Sequence, residues 1–167
     1  MKKITAMIIL AIMLMASQLW AAGSCVQTPL VYQNGSVFTV NLVCTGAADN
    51  GSIPNTSLET DTITALKGKY FLYTVSAYPT AGGTAPDAAD VFILDASGED
   101  LLGSVDGGTT ANKGLNLIHA TLKKTTMPYS AYLSQAYFPV ITGVLTLKVS
   151  NQATVNANYT IELVFVR

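Results

Sequence analysis

Apolar residues fall along this chain in two different patterns. Residues 4–16 form an apolar run broken only by Thr5, whereas beyond residue 23 apolar and polar positions alternate over short stretches separated by Gly, Pro, Asn and Asp. A period of two sends successive side chains to opposite faces of a strand. The alternation is clearest at residues 36–45, where Phe38, Val40, Leu42 and Cys44 point one way and Val37, Thr39, Asn41 and Val43 the other. Val31-Tyr32 and the tight-turn dipeptide Asn34-Gly35 precede it, so residues 31–45 read as a hairpin. Residues 140–149 read as a strand in which Leu145, Leu147 and Val149 alternate with Thr146 and Lys148. Residues 159–166 form the last strand, with Ile161, Leu163 and Phe165 opposite Glu162 and Val164. The dense run at residues 69–78 predicts a central strand in which Tyr70, Phe71 and Tyr73 pack the core. Residues 90–95 predict a strand that turns at Ala96-Ser97-Gly98 and returns as a hairpin partner over residues 100–104.

Two stretches are less legible. Residues 56–66 fit either a short strand around Thr62-Ile63 or a turn of helix. Residues 114–134 read as a strand, then a loop, then a short helix near Tyr129 to Gln135. Many short alternating strands with turn signals between them predict an all-β fold, an antiparallel β-sandwich of jelly-roll or immunoglobulin-like type. The lack of regular helices between strands excludes a parallel α/β sheet.

The N-terminal run has a different meaning. Met1-Lys2-Lys3, the apolar stretch and the small residues Ala21-Ala22-Gly23 make a secretory signal peptide, and the run is too short for a comfortable membrane span. Ala21, Ala22 or Gly23 could be the last residue removed; residues 1–22 are taken as the signal and residues 23–167 as one β-sandwich domain. The only two cysteines, Cys25 and Cys44, both lie in the exported part, where an oxidising compartment favours a disulfide between them. The alternative for Cys25 is lipidation, because bacterial lipoproteins are cut just before a lipid-bearing Cys. Ala22-Gly23-Ser24-Cys25 has the small residues but lacks the usual Leu three before the Cys. A membrane association is expected only in that case. The expected location is extracytoplasmic: periplasm, cell surface, medium or virion.

Composition narrows the function classes. Loss of Lys2 and Lys3 with the signal leaves seven basic side chains against ten acidic ones, and no basic patch, which argues against a nucleic-acid partner. Charged residues make up only 11% of the chain, so self-repulsion protects solubility weakly; this suits self-assembly or a protein partner. The one histidine, His119, follows Leu117-Ile118, and no Gly-x-Ser-x-Gly elbow is present, so no catalytic residue is assigned and an enzyme is not expected. No cofactor is expected either, since one His and two Cys without close spacing do not make a zinc site. Asp95, Glu99 and Asp100 around Gly98 could bind calcium, although Asp-x-Ser-Gly at a hairpin tip is explained by turn chemistry and the alternating acidic calcium loop is missing. Tyr129, Tyr132 and Tyr137 sit in the irregular stretch and are the candidates for an exposed contact patch.

Several of these segments occur together elsewhere. Gly68-Lys69-Tyr70-Phe71-Leu72-Tyr73, Ala85-Pro86-Asp87, Asp90-Val91-Phe92-Ile93-Leu94-Asp95, Gly98, Asp100-Leu101-Leu102-Gly103 and Gly143-Val144-Leu145-Thr146-Leu147 follow in that order. Residues 37–167 thereby resemble a group of small β-rich proteins encoded in phages and prophages. Those carry a Gly-Tyr strand, an Ala-Pro-Thr-Asp-Asn-Tyr-Asp turn, an Asp-x-Asp-Gly-x-Asp hairpin and a final Gly-x-Leu-Thr-Leu strand. Here the turn ends Asp87-Ala88-Ala89-Asp90, and Ser97 stands where the Asp before Gly98 is usual. The resemblance implies a structural, virion-associated role and carries no catalytic residues. The expected function is therefore an exported, non-catalytic structural or surface-interaction protein. The alternative is an extracellular module that binds carbohydrate, another ligand or calcium.

Overall fold

A computed structural model describes residues 22–32, 35–87, 89–103, 115–116, 124–130 and 135–167. Its elements are β1 (Ser24–Tyr32), β2 (Val37–Thr45), β3 (Thr56–Ser57), α1 (Thr60–Leu66), β4 (Phe71–Pro79), β5 (Asp90–Leu94), β6 (Leu115–Asn116), β7 (Lys124–Thr126), β8 (Tyr129–Ser130), β9 (Gln135–Ala136), β10 (Thr146–Ser150) and β11 (Asn158–Val166). A five-stranded sheet has the order β1-β2-β11-β4-β7, a four-stranded sheet the order β3-β10-β5-β6, and β8 and β9 pair by themselves. Every pairing between these strands is antiparallel, as the alternation predicts.

Register explains why the apolar sets meet. Phe38, Val40, Leu42 and Cys44 of β2 face Phe165, Leu163, Ile161 and Tyr159 of β11 across the ladder. All eight are buried. A slip by one residue would turn the whole set outward. Side chains of the second sheet, Val91 and Ile93 on β5 and Leu147 on β10, join the same buried cluster. Tyr159 is fully buried in that cluster: its Oη meets no hydrogen-bond partner among the described residues, and burial pushes its ionisation well above the usual range for a tyrosine.

β1 starts at Ser24, earlier than the pattern at Val31 suggests. Pro29 hid it, but β1 is the outer strand of its sheet, where a residue without an N–H is tolerated. Cys25 stands directly opposite Cys44, and the two form a disulfide, with their Cα atoms 4.0 Å apart. A cross-link over a sequence separation of 19 stabilises by about 3 kcal/mol in the chain-entropy model. The bond fits an oxidising, extracytoplasmic environment, and with both sulfurs in it Cys25 carries no free thiol. The turn between β1 and β2 has Gly35 at a φ of 81°; Asn34 lies outside the described residues.

The ambiguous stretch at residues 56–66 contains both a strand and a helix. α1 has no side-chain cap of its own. Instead Gln27 of β1 reaches across: its Oε1 accepts the Glu59 N–H at 3.1 Å, and its Nε2 donates to Thr62 Oγ1 at 2.6 Å. Gly68, at a φ of 67°, ends the helix in the left-handed conformation that glycine adopts without strain. Ile63 and Leu66 turn into the core.

Four expectations need correction. Phe71 and Tyr73 do not pack the core; only Tyr70 does, set edge-on to Phe38 with 5.9 Å between ring centres. The cause is a bulge: Val164 pairs with Thr74 and Phe165 with Leu72, leaving Tyr73 as the extra residue. Leu72 and Val75 both face inward, three positions apart instead of two. Second, residues 129–135 do not begin or end as a helix, since Tyr129 pairs with Ala136 and Ser130 with Gln135 as strands. Third, the return from the turn at 96–98 is a single bridge, Leu94 to Asp100, because Leu101 and Leu102 then turn into the core. Fourth, the strand expected from residue 140 starts at Thr146; Val140 makes only an isolated bridge to Phe71. Among the described residues, no helix is long and apolar enough to cross a membrane.

Candidate functional site

The acidic turn after β5 is built by its own carboxylates. Asp95 Oδ1 accepts the Ser97 N–H at 2.8 Å, the Ser97 hydroxyl at 2.7 Å and the Glu99 N–H at 3.0 Å. Gly98, at a φ of 86°, donates its N–H back to the Asp95 carbonyl at 3.0 Å. Burial raises the Asp95 carboxyl, but hydrogen bonds from the Ser97 hydroxyl and from the Glu99, Ser97 and Gly98 backbone outweigh it, so its pKa lies below the ordinary value. Asp100 is buried, and its Oδ1 accepts the N–H of Ile93 at 2.9 Å and of Leu102 at 3.2 Å. These oxygens satisfy backbone donors that would otherwise be orphaned, which is the turn chemistry of this sequence. Among the described residues, no group of three His, Cys, Asp or Glu is placed to hold a metal ion.

Of the three candidate tyrosines, the structure describes Tyr129 and Tyr137, which line different cavities. Tyr132 lies outside the described residues, as does His119. Tyr129 packs on Gly103, where a Cβ would come within 2.8 Å of its ring and 2.7 Å of its carbonyl. It lines a groove of about 580 Å³ with Thr74, Leu102, Thr126, Met127 and Ala136. Tyr137 lines a different cavity of about 200 Å³, together with Asp95, Glu99, Leu101 and Ile141. Burial, and then the charges of Glu99, Asp95 and Asp100, raise the pKa of its hydroxyl. The fold thus joins Tyr137 to the acidic turn, two features that the sequence shows only as separate segments.

One exposed apolar cluster among the described residues was missed from sequence. Phe71, Tyr73, Phe138 and Val140 are 38%, 42%, 45% and 45% exposed. Phe71 bridges to Val140 across the chain, and the rings of Tyr73 and Phe138 stack at 5.5 Å and 26°. Phe71, Tyr73, Phe138 and Val166 line an apolar hollow of about 230 Å³. The bulge at Tyr73 creates this surface, because it leaves Tyr73 facing out of the core. A signal was present in the sequence: Tyr70-Phe71-Leu72-Tyr73 carries more aromatic bulk than one face of a strand can bury.

No protein-family model, curated protein or solved structure matches the chain.

Proposed function

We propose that this chain is an exported β-sandwich, its two sheets packed face to face, whose function is a non-catalytic contact with other protein. One observation carries the reading: the exposed aromatic and aliphatic surface of Phe71, Tyr73, Phe138 and Val140. Isolated exposed apolar residues are ordinary on a protein surface, but a contiguous cluster with stacked rings marks an interaction site. Aromatic side chains supply large, stiff contact area, and they dominate the energetics of protein interfaces. The low charge of the chain removes much of the repulsion that would oppose assembly. Export is supported by the N-terminal sequence and agrees with the disulfide. The resemblance to virion-associated β-proteins favours a structural assembly as the setting.

The test is the size of the protein in native extracts of cells that make it. Wild type should migrate with a larger assembly, and Phe138→Ser should migrate as a free chain with unchanged far-ultraviolet circular dichroism. Identical migration of both as free chains would overturn the reading.

A second reading rests on Tyr137 beside Asp95 and Glu99 in one cavity. An aromatic ring next to carboxylates suits a hydroxyl-rich ligand such as a carbohydrate, with the ring against its apolar face and the carboxylates accepting its hydroxyls. A glycan panel would reveal it, and the Tyr137→Ala variant should lose any signal seen.

A further inference from the structure

We propose that the leader is cut on the N-terminal side of Gly23, so that the mature chain begins at Ala22 or Gly23 and keeps Cys25 as half of a disulfide. The inference rests on the exported reading above and adds to it the position of the processing site. Three residues could end the leader by composition alone, and Gly23 is one of them. The geometry separates Gly23 from the other two.

Gly23 is buried, whereas Ala22 beside it is exposed. A Cβ on Gly23 would lie 1.9 Å from the Ser52 carbonyl oxygen and 3.0 Å from the Ala47 nitrogen. Those atoms are backbone and cannot swing aside. They belong to a closed turn: Ala47 donates its N–H to the Ser52 carbonyl at 2.9 Å, and Gly51 donates to the Ala47 carbonyl at 3.0 Å. That turn is fixed in its place. Gly46 donates its N–H to the Ala157 carbonyl at 2.8 Å, and Gly51 lies so close to Ala153 that a Cβ there would meet its backbone at 2.6 Å. The backbone at position 23 therefore fits a slot that only glycine can enter. A residue discarded with the leader has no folded neighbour to match, so this fit belongs to the mature protein.

The next residues support the same boundary. The β1–β2 ladder starts at Ser24 opposite Thr45, and Cys25 follows in its disulfide. A lipoprotein cut would fall between Ser24 and Cys25. It would remove Gly23 from its slot, and a thioether on the Cys25 sulfur would replace the bond to Cys44. Cleavage before Gly23 needs only water and a leader peptidase. The water oxygen becomes part of the leader's new carboxyl group, and the amine of Ala22 or Gly23 is released and protonated. With a start at Ala22, the exposed position of that residue leaves the ammonium in solvent.

The experiment is intact mass and N-terminal peptide sequence of the protein recovered from cells expressing all 167 residues. The expected chain starts at Ala22 or Gly23 and is two hydrogens lighter than its dithiol form. A start at Ser24, or a lipid-bearing start at Cys25, overturns this inference and leaves export intact. A chain still starting at Met1 overturns the export reading together with it. Gly23→Ala provides an independent measurement. The processed variant should melt lower than wild type by about 5 °C or more, as expected for backbone strain in a protein of this size. A melting temperature equal to wild type would show that position 23 is not packed in the mature chain.

Discussion

Asp95 and Asp100 are five residues apart, and each holds the turn between them by a different contact. Asp100 is buried and accepts two backbone N–H groups from inside, whereas Asp95 accepts at the solvent side. The depressed pKa of Asp95 gives its contribution a direction with pH. The charged form is the one the turn binds, so its contribution is full above the ordinary carboxyl value of 3.8 and is lost as the pH falls through the lower folded value. Wild type should therefore be more stable than Asp95→Asn at neutral pH, and the two should converge as the medium is acidified through that range. Urea unfolding at a series of pH values measures this; a constant gap would contradict the assignment. The turn was legible at this scale, since Asp-x-Ser-Gly specifies an Asx-type turn by local chemistry. The meeting of Tyr137 with Asp95 and Glu99 was not, because it joins loops about forty positions apart and depends on tertiary packing.

Where the alternation runs unbroken it assigns the faces correctly: β2 and β11 bury the residues placed inward, and in β10, shorter than expected, Leu147 is buried and Val149 half-buried. The misreadings occur where the period is interrupted. Pro29 masked the first half of β1, and the bulge at Tyr73 changed the face of the aromatic residues in β4. A bulge adds one residue to a strand, and alternation alone cannot locate it in a run apolar on both faces. This makes a specific prediction for β4. Deleting Tyr73 restores plain alternation, with Leu72 and Val75 still inward and Thr74 outward. That variant should fold with a melting temperature within a few degrees of wild type. Deleting Val75 removes a buried side chain and shifts the register against β11, and should abolish cooperative unfolding. Thermal unfolding followed by circular dichroism compares them, and equal loss in both would show that Tyr73 is an integral ladder position.

At the scale of the whole molecule, the first hairpin pairs with the last strand, so the main sheet closes only when both ends of the chain are present. Such non-local pairing has a high entropic cost before contacts form, and a disulfide inside the first hairpin lowers part of it. The same arrangement leaves Phe71, Tyr73, Phe138 and Val140 on the surface, where they oppose solubility and contribute little to the core. Their retention is understandable if another protein covers them. The most direct measurement is hydroxyl-radical footprinting of the protein in its native assembled fraction and as a purified free chain. Phe71, Tyr73 and Phe138 should be modified severalfold less in the assembled fraction, with Tyr137 modified equally in both. Equal modification of Phe71, Tyr73 and Phe138 in the two states would contradict the claim that this surface is where the protein makes its contact.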